Sequence, residues 1–396
     1  MQKTLEGLKV IEFTLAAAGP TCSKQLVEWG AESVILEPLT GCTSRFAAPH
    51  LFDFYHSGKR SVAVDLKTPE GQEIMQRLIR EADIFVANYR PKALKSLHMT
   101  YEDLIKINPR LIHATLTGYG EEGPCAPLPG HDTVSFWARG GVLLDFAERG
   151  TVLPPPISVG DSATGQALLS GILAALYHRE KTGKGMKVWT SLFSEAIYLN
   201  NDCFVELQYG GQYPKSRVEP MRSLLNTYKC NDGKWIVLLT VNFEKDFDNM
   251  LRCLGHEEMV GDPRWTCIAD TMNEGAPEMV RFLDGVFAAM TQDEAIERLE
   301  SVDFACARVT STEDLFNDPQ AIVNHYIREY TNSDGKKLKV PATPVKFGDL
   351  ENEEMRLGPC LGEHTADVMK EVGFSNAEIE EYLKKNAVAI TDKKVW

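Results

Sequence analysis

Residues Leu8–Thr14 read LKVIEFT, and this short apolar run decides the fold. Its length and its β-branched and aromatic side chains predict a buried strand. A predicted helix follows at Pro20–Trp29, with proline in its first turn, and a second strand-like run, SVILE, follows at Ser33–Glu37. A strand, a helix and another strand in this order predict two parallel strands joined by a crossover helix.

The same alternation continues through the first half of the chain. Strand-like runs recur at Ser61–Asp65, Asp83–Ala87 and Leu111–Thr117, and a helix is predicted over Pro69–Ala82 after the N-cap Thr68. We therefore predict an α/β fold with a mostly parallel sheet that is covered by helices on both faces. The first strand-to-helix turn lacks G-x-G-x-x-G, and the chain has no Walker A loop, so neither a dinucleotide enzyme nor a P-loop enzyme is indicated.

The second half predicts a smaller α/β domain. A long helix is expected over Leu192–Tyr209, and the turn-forming residues 210–220 are typical of a linker. Leu225–Cys230 and Lys234–Thr240 then form a predicted hairpin with Asp232-Gly233 in its turn. The helical stretches predicted after the hairpin are Phe243–Leu254, Ala276–Met290 and Gln292–Leu299, and two amphipathic helices follow Leu361–Thr365 in the tail.

Composition excludes several classes of protein. The 396 residues suffice for two or three folding units, and 43% hydrophobic with 25% charged residues is typical of a globular protein. A net charge of −14 argues against nucleic acid as a partner, because such binding depends on cations that neutralise phosphates. We expect no signal peptide and no membrane span. The nine scattered cysteines indicate reduced thiols, no zinc site and a cytoplasmic protein.

The stretch ISVGDSATGQ at 157–166, followed by a helical run over Ala167–Arg179, is the most informative for chemistry. Asp161 stands where this helix is expected to begin. As an N-cap, its carboxylate would accept first-turn N–H groups, and the helix dipole would hold it ionised. As a nucleophile, the same carboxylate would attack an activated carbonyl, with Gly160 and Gly165 leaving room for the substrate. The residues themselves leave both interpretations open.

Other candidates are weaker. His131 follows Pro129-Gly130 in a loop and is either a solvated residue or a group that contacts the ligand or transfers a proton. Gly118-Tyr-Gly120 follows a strand and is expected to form a pocket wall. Basic residues beside strand ends are either a solvated face or a phosphate site; they are Lys59, Arg60, Lys67, Arg90, Lys92 and Lys95. Aromatic residues that belong either to an acyl pocket or to the core are Phe136, Trp137 and Phe146.

Several motifs in a fixed order resemble family III CoA transferases, the formyl-CoA and carnitine CoA transferase superfamily. Those motifs are Val10–Thr14, Ala18–Pro20, Gly30-Ala31, Lys59–Ser61, Asp65–Gly71, Glu81–Asp83, Gly118–Gly120, Gly160-Asp161, Lys181–Gly185 and Leu361–Thr365. Within the family, residues 118–141 and the 226–235 hairpin resemble anaerobic enzymes of amino-acid fermentation. These enzymes move CoA between 2-hydroxy acids and enoyl- or acyl-CoA, as the 2-hydroxyisocaproate and phenyllactate enzymes do.

The resemblance implies an interlocked homodimer in which each chain has a Rossmann-like large domain, a small domain and a tail that returns to the large domain. The boundaries are then 1–210, 211–330 and 331–396. It also implies that CoA and acyl-CoA act as substrates, with no permanently bound cofactor and no metal.

The resemblance assigns roles to individual residues. Asp161 matches the family's nucleophilic aspartate, and His131 lies where the family lines its acyl pocket. The residues that match CoA-holding segments are Ala18, Leu66, Lys67, Asn88, Tyr89 and Arg90. Pro38 replaces an arginine that contacts the nucleotide in formyl-CoA transferases, and no glycine-rich loop follows Tyr213, so a formyl or oxalyl substrate is not favoured.

Two alternatives remain. The superfamily also contains α-methylacyl-CoA racemases, whose histidine motif resembles Gly130-His131-Asp132 and whose catalytic aspartate matches Asp161. His131 and Asp161 would then exchange the α-proton as an acid/base pair, although Asn242 stands where these enzymes have a supporting glutamate. A CoA-binding module without activity would lack the nucleophile, and Asp161 is present.

Overall fold

The structure is a computed structural model that describes residues 3–332, 335–348 and 356–391. Positions 333–334, 349–355 and 392–396 of the predicted C-terminal segment lie outside the described residues. The strands are β1 (Lys9–Phe13), β2 (Glu32–Glu37), β3 (Arg60–Val64), β4 (Ile84–Ala87), β5 (Ile112–Thr117), β6 (Lys187–Ser191), β7 (Leu225–Lys229), β8 (Trp235–Leu239), β9 (Cys306–Arg308), β10 (Ile327–Thr331), β11 (Lys337–Pro341) and β12 (Val388–Ala389).

Helices connect these strands in the alternating order that the sequence predicts. They are α1 (Ala18–Glu28), α2 (Thr43–Ala47), α3 (Pro49–Tyr55), α4 (Pro69–Glu81), α5 (Pro91–Ser96), α6 (Tyr101–Ile107), α7 (Val142–Asp145), α8 (Val159–Thr182), α9 (Leu192–Leu199), α10 (Asn201–Gln208), α11 (Phe243–Cys253), α12 (Ala276–Phe287), α13 (Gln292–Glu300), α14 (Thr312–Leu315), α15 (Pro319–Val323), α16 (Thr365–Glu371) and α17 (Asn376–Lys384). A π-helical segment also spans Asp132–Ala138, and 3-10 turns span Glu257–Met259, Ile268–Thr271 and Asn273–Gly275.

A seven-stranded sheet forms the centre of the fold, in the order β12-β3-β2-β1-β4-β5-β6. All of its neighbouring strands run parallel except β12, which pairs antiparallel with β3. The predicted α/β class with a mostly parallel sheet is therefore confirmed. The strand order reverses between β1 and β4, which is where open parallel sheets bind ligands.

The chain divides into two compact units. The first contains the described residues up to Val142, then Pro155–Asn200 and the described residues from Pro319 onward; the second contains Leu143–Pro154 and Asn201–Asp318. The short segment Leu143–Pro154 belongs with the second unit because the Arg149 backbone N–H donates to the carbonyl of Lys215 at 3.0 Å. The small domain predicted from the sequence spans 211–330.

Each unit has its own apolar core. In the first unit, the central strands pack against α4, α16 and α17 through buried side chains such as Ile74, Leu78 and Met369. In the second, α11, α12 and α13 pack on the antiparallel sheet β7-β8-β9. The predicted hairpin is confirmed as β7 and β8, with Gly233 at a positive φ in the turn. None of the helices in the described ranges is long and apolar enough to cross a membrane.

One predicted helix is wrong in its extent. The sequence analysis expects a single helix over Leu192–Tyr209, but α9 ends at Leu199 and α10 begins at Asn201. The interruption falls at Asn200, where the first unit ends. Both helices carry apolar side chains, so composition alone did not distinguish two short helices from one long helix.

Candidate active site

The loops that follow β1 and β4 meet at the switch point of the sheet. The Asn88 side chain, just after β4, holds the β1–α1 loop, because its Oδ1 accepts the Leu15 backbone N–H at 2.7 Å and its Nδ2 donates to the Leu15 carbonyl at 2.7 Å. The next residue, Ala16, has φ +57°, a conformation that costs energy for a residue with a side chain. Asn88 is thus a residue that fixes this loop.

Two glycines let the turn after β5 pack directly against the loop that precedes His131. Gly118, after β5, and Gly130 approach so closely that a Cβ added to either would lie within about 2.4 Å of the other's Cα. No other residue type fits at either position, because a contact of that length with backbone cannot be relieved. The predicted role of the Gly118–Gly120 turn as a pocket wall is therefore supported by a specific contact, which also fixes the position of the residue before His131.

Asp161 is the third residue of α8, and the helix begins three residues earlier than a helix capped by Asp161 would. Ser158 occupies the N-cap position with φ +60°, and its side chain makes no cap hydrogen bond. The N-cap interpretation of Asp161 is therefore wrong. The Asp161 carboxylate lies inside the first turn and is available for chemistry.

The helix is capped by a residue from another segment. Asp132 is buried, and its Oδ1 accepts the Asp161 backbone N–H at 2.9 Å. The backbone N–H groups of Ser158 and Gly160 also donate to the Asp132 carboxylate. Its Oδ2 accepts the indole N–H of Trp137 at 3.1 Å. A carboxylate from a separate loop thus satisfies the N–H groups that an N-cap side chain would ordinarily bind.

The two glycines of α8 do not leave room for a substrate, as the sequence analysis expects. A Cβ on Gly160 would meet Asp132 Oδ1 and the Phe136 ring at 2.3 Å, so this glycine admits the capping carboxylate. A Cβ on Gly165 would meet the Ala18 carbonyl at 2.6 Å, so this glycine lets α8 pack closely on α1. Both positions serve packing beneath the site.

Burial makes the Asp161 carboxylate unusually basic. Desolvation, with a smaller contribution from the charge of Asp132, raises the pKa of Asp161 to about 7. The expectation that the helix dipole holds Asp161 ionised is corrected, because burial has the larger effect. Desolvation also raises the pKa of Asp132 and that of Tyr55, whose hydroxyl hydrogen-bonds with the side chains of Ser158 and Ser162.

Asp161 lies between two cavities. One, of about 360 Å³, is bounded by the loops after β1, β4 and β5, and includes Arg90. The other, of about 390 Å³, is mainly apolar and is bounded by α2 and α3, with Leu51 and Tyr55 among its lining residues. The residues that line both cavities are Leu15, Ala16, His131 and Asp161. A group attached at Asp161 can therefore reach either cavity.

Most of the residues predicted for CoA lie together. The first cavity is lined by Ala18, Asn88, Tyr89, Arg90, His131 and Asp161. Tyr89 stacks on Phe13, with ring centroids 4.0 Å apart, and burial raises its pKa to about 12. Leu66 and Lys67 do not line this cavity. They follow β3, two strands from β1, where Leu66 is buried in the core and Lys67 is exposed.

Two members of the predicted basic cluster are engaged elsewhere. Lys59 is buried and forms an ion pair with the equally buried Glu12, with Nζ and Oε2 2.8 Å apart. Arg60, the first residue of β3, pairs with Glu371 at 2.7 Å. The phosphate interpretation of Lys59 and Arg60 is therefore wrong, whereas Arg90, Lys92 and Lys95 are exposed beside the end of β4.

The segment that lines the apolar cavity was not predicted from the sequence. Thr43, Ala47, Leu51 and Tyr55 come from α2 and α3, two short helices between β2 and β3. A buried pair holds this segment: the Arg45 guanidinium donates to both Glu37 oxygens, and Nη2 lies 2.6 Å from Oε1.

The only signal in the sequence was the aromatic run Phe52–Tyr55. By contrast, Phe136 and Trp137 are buried, and Phe146 is exposed, so these three residues do not form the expected pocket. Among the described residues, no group of three metal-binding side chains is arranged to hold a metal ion.

Comparisons with known proteins give a consistent result. The family described as CoA-transferase family III matches residues 5–365. The chain is 35% identical to the (R)-2-hydroxy-4-methylpentanoate CoA-transferase of Clostridioides difficile, over 97% of this chain and 99% of that protein. It is 32% identical to the cinnamoyl-CoA:phenyllactate CoA-transferase of Clostridium sporogenes, over 98% of both chains. A crystal structure of a CAIB/BAIF family protein from Brucella suis matches with a TM-score of 0.80 and 25% identity, over 94% of this chain and all of that one.

Proposed function

Because the chain belongs to CoA-transferase family III, we propose that it moves CoA from an acyl-CoA donor to a 2-hydroxy acid, with Asp161 as the covalent nucleophile. One observation carries this proposal: Asp161 lies where two cavities of different chemistry meet. The names of the relatives from Clostridioides difficile and Clostridium sporogenes support the choice of a 2-hydroxy acid.

The two cavities suggest how an acyl-CoA is held. Arg90 is exposed at the first cavity, where a guanidinium is suited to bind the phosphates of CoA. The second cavity is apolar and large enough for a branched or aromatic acyl chain, which agrees with the substrates named for the relatives. His131 borders both cavities, where it can contact the acyl group.

The proposed transfer uses four displacements at carbonyl carbon. The Asp161 carboxylate attacks the donor thioester, the C–S bond breaks, and a mixed anhydride and CoA thiolate form. The thiolate attacks the aspartyl carbonyl, which releases the donor acid and leaves an aspartyl-CoA thioester. The acceptor carboxylate attacks that thioester to give a second anhydride and free thiolate. The thiolate then attacks the acceptor carbonyl, which produces the new acyl-CoA and restores Asp161, with no net proton change.

Trapping tests this proposal. The enzyme is incubated with a branched acyl-CoA, treated with hydroxylamine or borohydride and digested for peptide mass spectrometry. We expect modification at Asp161 that depends on acyl-CoA and is absent from Asp161→Asn. An unmodified Asp161 peptide together with full turnover would contradict the covalent mechanism.

Solvent exchange separates transfer from racemisation. A racemase breaks the α C–H bond and therefore incorporates solvent deuterium into acyl-CoA without an acceptor acid. We expect negligible deuterium uptake in that assay and CoA transfer only when an acceptor is present. Asn242, which stands where a racemase would have a glutamate, caps α11 by accepting the Lys245 N–H at 3.2 Å.

The wider setting is also part of the proposal. We place the reaction in the cytoplasm of an anaerobic organism that ferments amino acids, because the names of the relatives include 2-hydroxy acids and the nine cysteines are scattered along the sequence without C-x-x-C spacing. We propose a homodimer, for which sedimentation is expected to give about twice the chain mass of 44.2 kDa. An active species with the mass of a single chain would contradict the dimer.

A further inference from the structure

Asp132 is a buried carboxylate that the transfer scheme does not use. It begins the π-helical segment Asp132–Ala138, directly after His131, and approaches the first turn of α8 from outside that helix. The preceding residue, His131, lines the two cavities. Asp132 lines neither cavity, and its carboxylate binds the first turn of α8 instead.

Both carboxylate oxygens of Asp132 are fully engaged. Oδ1 accepts the Asp161 N–H and Oδ2 accepts the Trp137 indole N–H at 3.1 Å, and the carboxylate also accepts the N–H groups of Gly160 and Ser158. The hydrogen bond from Asp161 itself, at 2.9 Å, fixes the backbone of the nucleophile directly. Because four residues donate to this carboxylate, the first turn of α8 has little freedom to move relative to Asp132.

We infer that Asp132 is a positioning residue for the transfer reaction, which fixes the first turn of α8 so that the Asp161 carboxylate faces the junction of the two cavities and which places a negative charge near that carboxylate. This inference rests on the proposed role of Asp161 as nucleophile. A misplacement of about 1 Å can reduce a rate by about 10²-fold, so such a residue matters without touching the substrate.

The charges around Asp161 agree with this role. The ionisable groups that border the two cavities beside Asp161 are Tyr55 and His56 from the α3 region, His131, and Tyr89 and Arg90 at the first cavity. Asp132 lies outside both linings, and its charge raises the pKa of Asp161. Removal of that charge should therefore make Asp161 ionise at lower pH.

A substitution at Asp132 separates position from charge. Asp132→Asn keeps the oxygen that accepts the Asp161 N–H but places an amide N–H opposite the Trp137 indole N–H, so it is combined with Trp137→Phe. Trp137→Phe alone is the matched control, because it keeps both the charge and the cap. For the double variant, we expect the acid limb of kcat/KM to move to lower pH, with kcat within about tenfold of the control. Asp132→Ala removes the cap and is expected to lose about 10²-fold in kcat.

Gly160→Ala provides an independent test, because its Cβ would displace the Asp132 carboxylate. We expect it to lower kcat as Asp132→Ala does, while Asp132 keeps its charge. If Asp132→Ala does not fold, the double variant alone decides. An unmoved pH profile in the double variant, with only a loss of thermal stability, would overturn the inference and leave Asp132 as a simple helix cap.

A measurement that does not depend on turnover distinguishes a failure of the role inferred for Asp132 from a failure of the covalent role proposed for Asp161. The carboxyl ¹³C resonance of Asp161 is titrated by NMR in the control and in the double variant. A lower midpoint in the double variant supports the inference even if Asp161 proves not to be trapped by acyl-CoA, a result that would contradict only the proposed mechanism. An identical midpoint in a transferase that is trapped at Asp161 would overturn the inference alone.

Discussion

The buried Asp161 carboxylate should lower the stability of the protein at neutral pH. Its pKa is about 7 in the folded chain against an ordinary value of 3.8, so the folded state binds a proton that the unfolded state has already released over that interval. The stability that this site contributes is therefore fully present below pH 3.8, declines up to pH 7 and is absent above it. Asp161→Asn carries no charge at any pH and escapes this decline.

The magnitude follows from the size of the pKa difference. Each unit of pKa difference corresponds to about 1.4 kcal/mol of folding stability. The stability lost between pH 5 and pH 7 is therefore at most about 2.7 kcal/mol. Water in the two cavities screens the charge, and we therefore expect about 1–2 kcal/mol. Asp161→Asn should gain this amount of stability relative to the wild type when the pH is raised from 5 to 8, although its transfer activity falls by several orders of magnitude.

Urea unfolding at pH 5 and pH 8, followed by tryptophan fluorescence, measures the difference between wild type and variant at each pH. Glu122→Gln serves as the control, because it makes the same kind of substitution at an exposed carboxylate. Its difference from wild type should not depend on pH. If Asp161→Asn differs from the wild type equally at both pH values, the carboxylate is not desolvated and the reasoning fails.

Three other predictions concern the surroundings of Asp161. Lys59→Met leaves Glu12 buried without its partner and should lower the free energy of unfolding by about 3–5 kcal/mol, whereas adding Glu12→Gln should restore most of it in calorimetry. Arg90→Ala should raise KM for acyl-CoA and weaken its dependence on salt, with kcat nearly unchanged; an unaltered KM would exclude a phosphate contact. Ala47→Phe fills part of the apolar cavity and should reduce kcat/KM for branched or aromatic donors at least tenfold relative to a short donor, and equal losses for both would place the acyl chain elsewhere.

The sheet could be predicted because its signals are local. Buried parallel strands such as Leu8–Thr14 are short continuous apolar runs, and the helix after Thr68 has a cap that accepts the Gly71 N–H at 3.0 Å. Each of these patterns is complete within a few residues. The alternation of strands and helices then fixes the parallel arrangement without information about distant contacts.

The site was predicted only in part because its decisive contacts are distant in sequence. Asp161 resembles an N-cap locally, and its true environment depends on Asp132, which lies 29 residues earlier. Lys59 belongs to a basic pair in the sequence, yet it is neutralised by Glu12 from another strand. Neither partner could be identified from spacing, since side chains that meet at one end of a sheet share no periodicity.

The two cavities at Asp161 are built from separable parts of the chain. The apolar one takes half of its lining from Thr43–Tyr55, a single stretch inserted between β2 and β3, whereas the other draws on loops after β1, β4 and β5. Exchange of these 13 residues can thus change the selectivity for the acyl chain while the cavity proposed for CoA keeps its lining. Any replacement segment must keep Arg45, because its guanidinium pairs with Glu37 and holds the segment on the sheet.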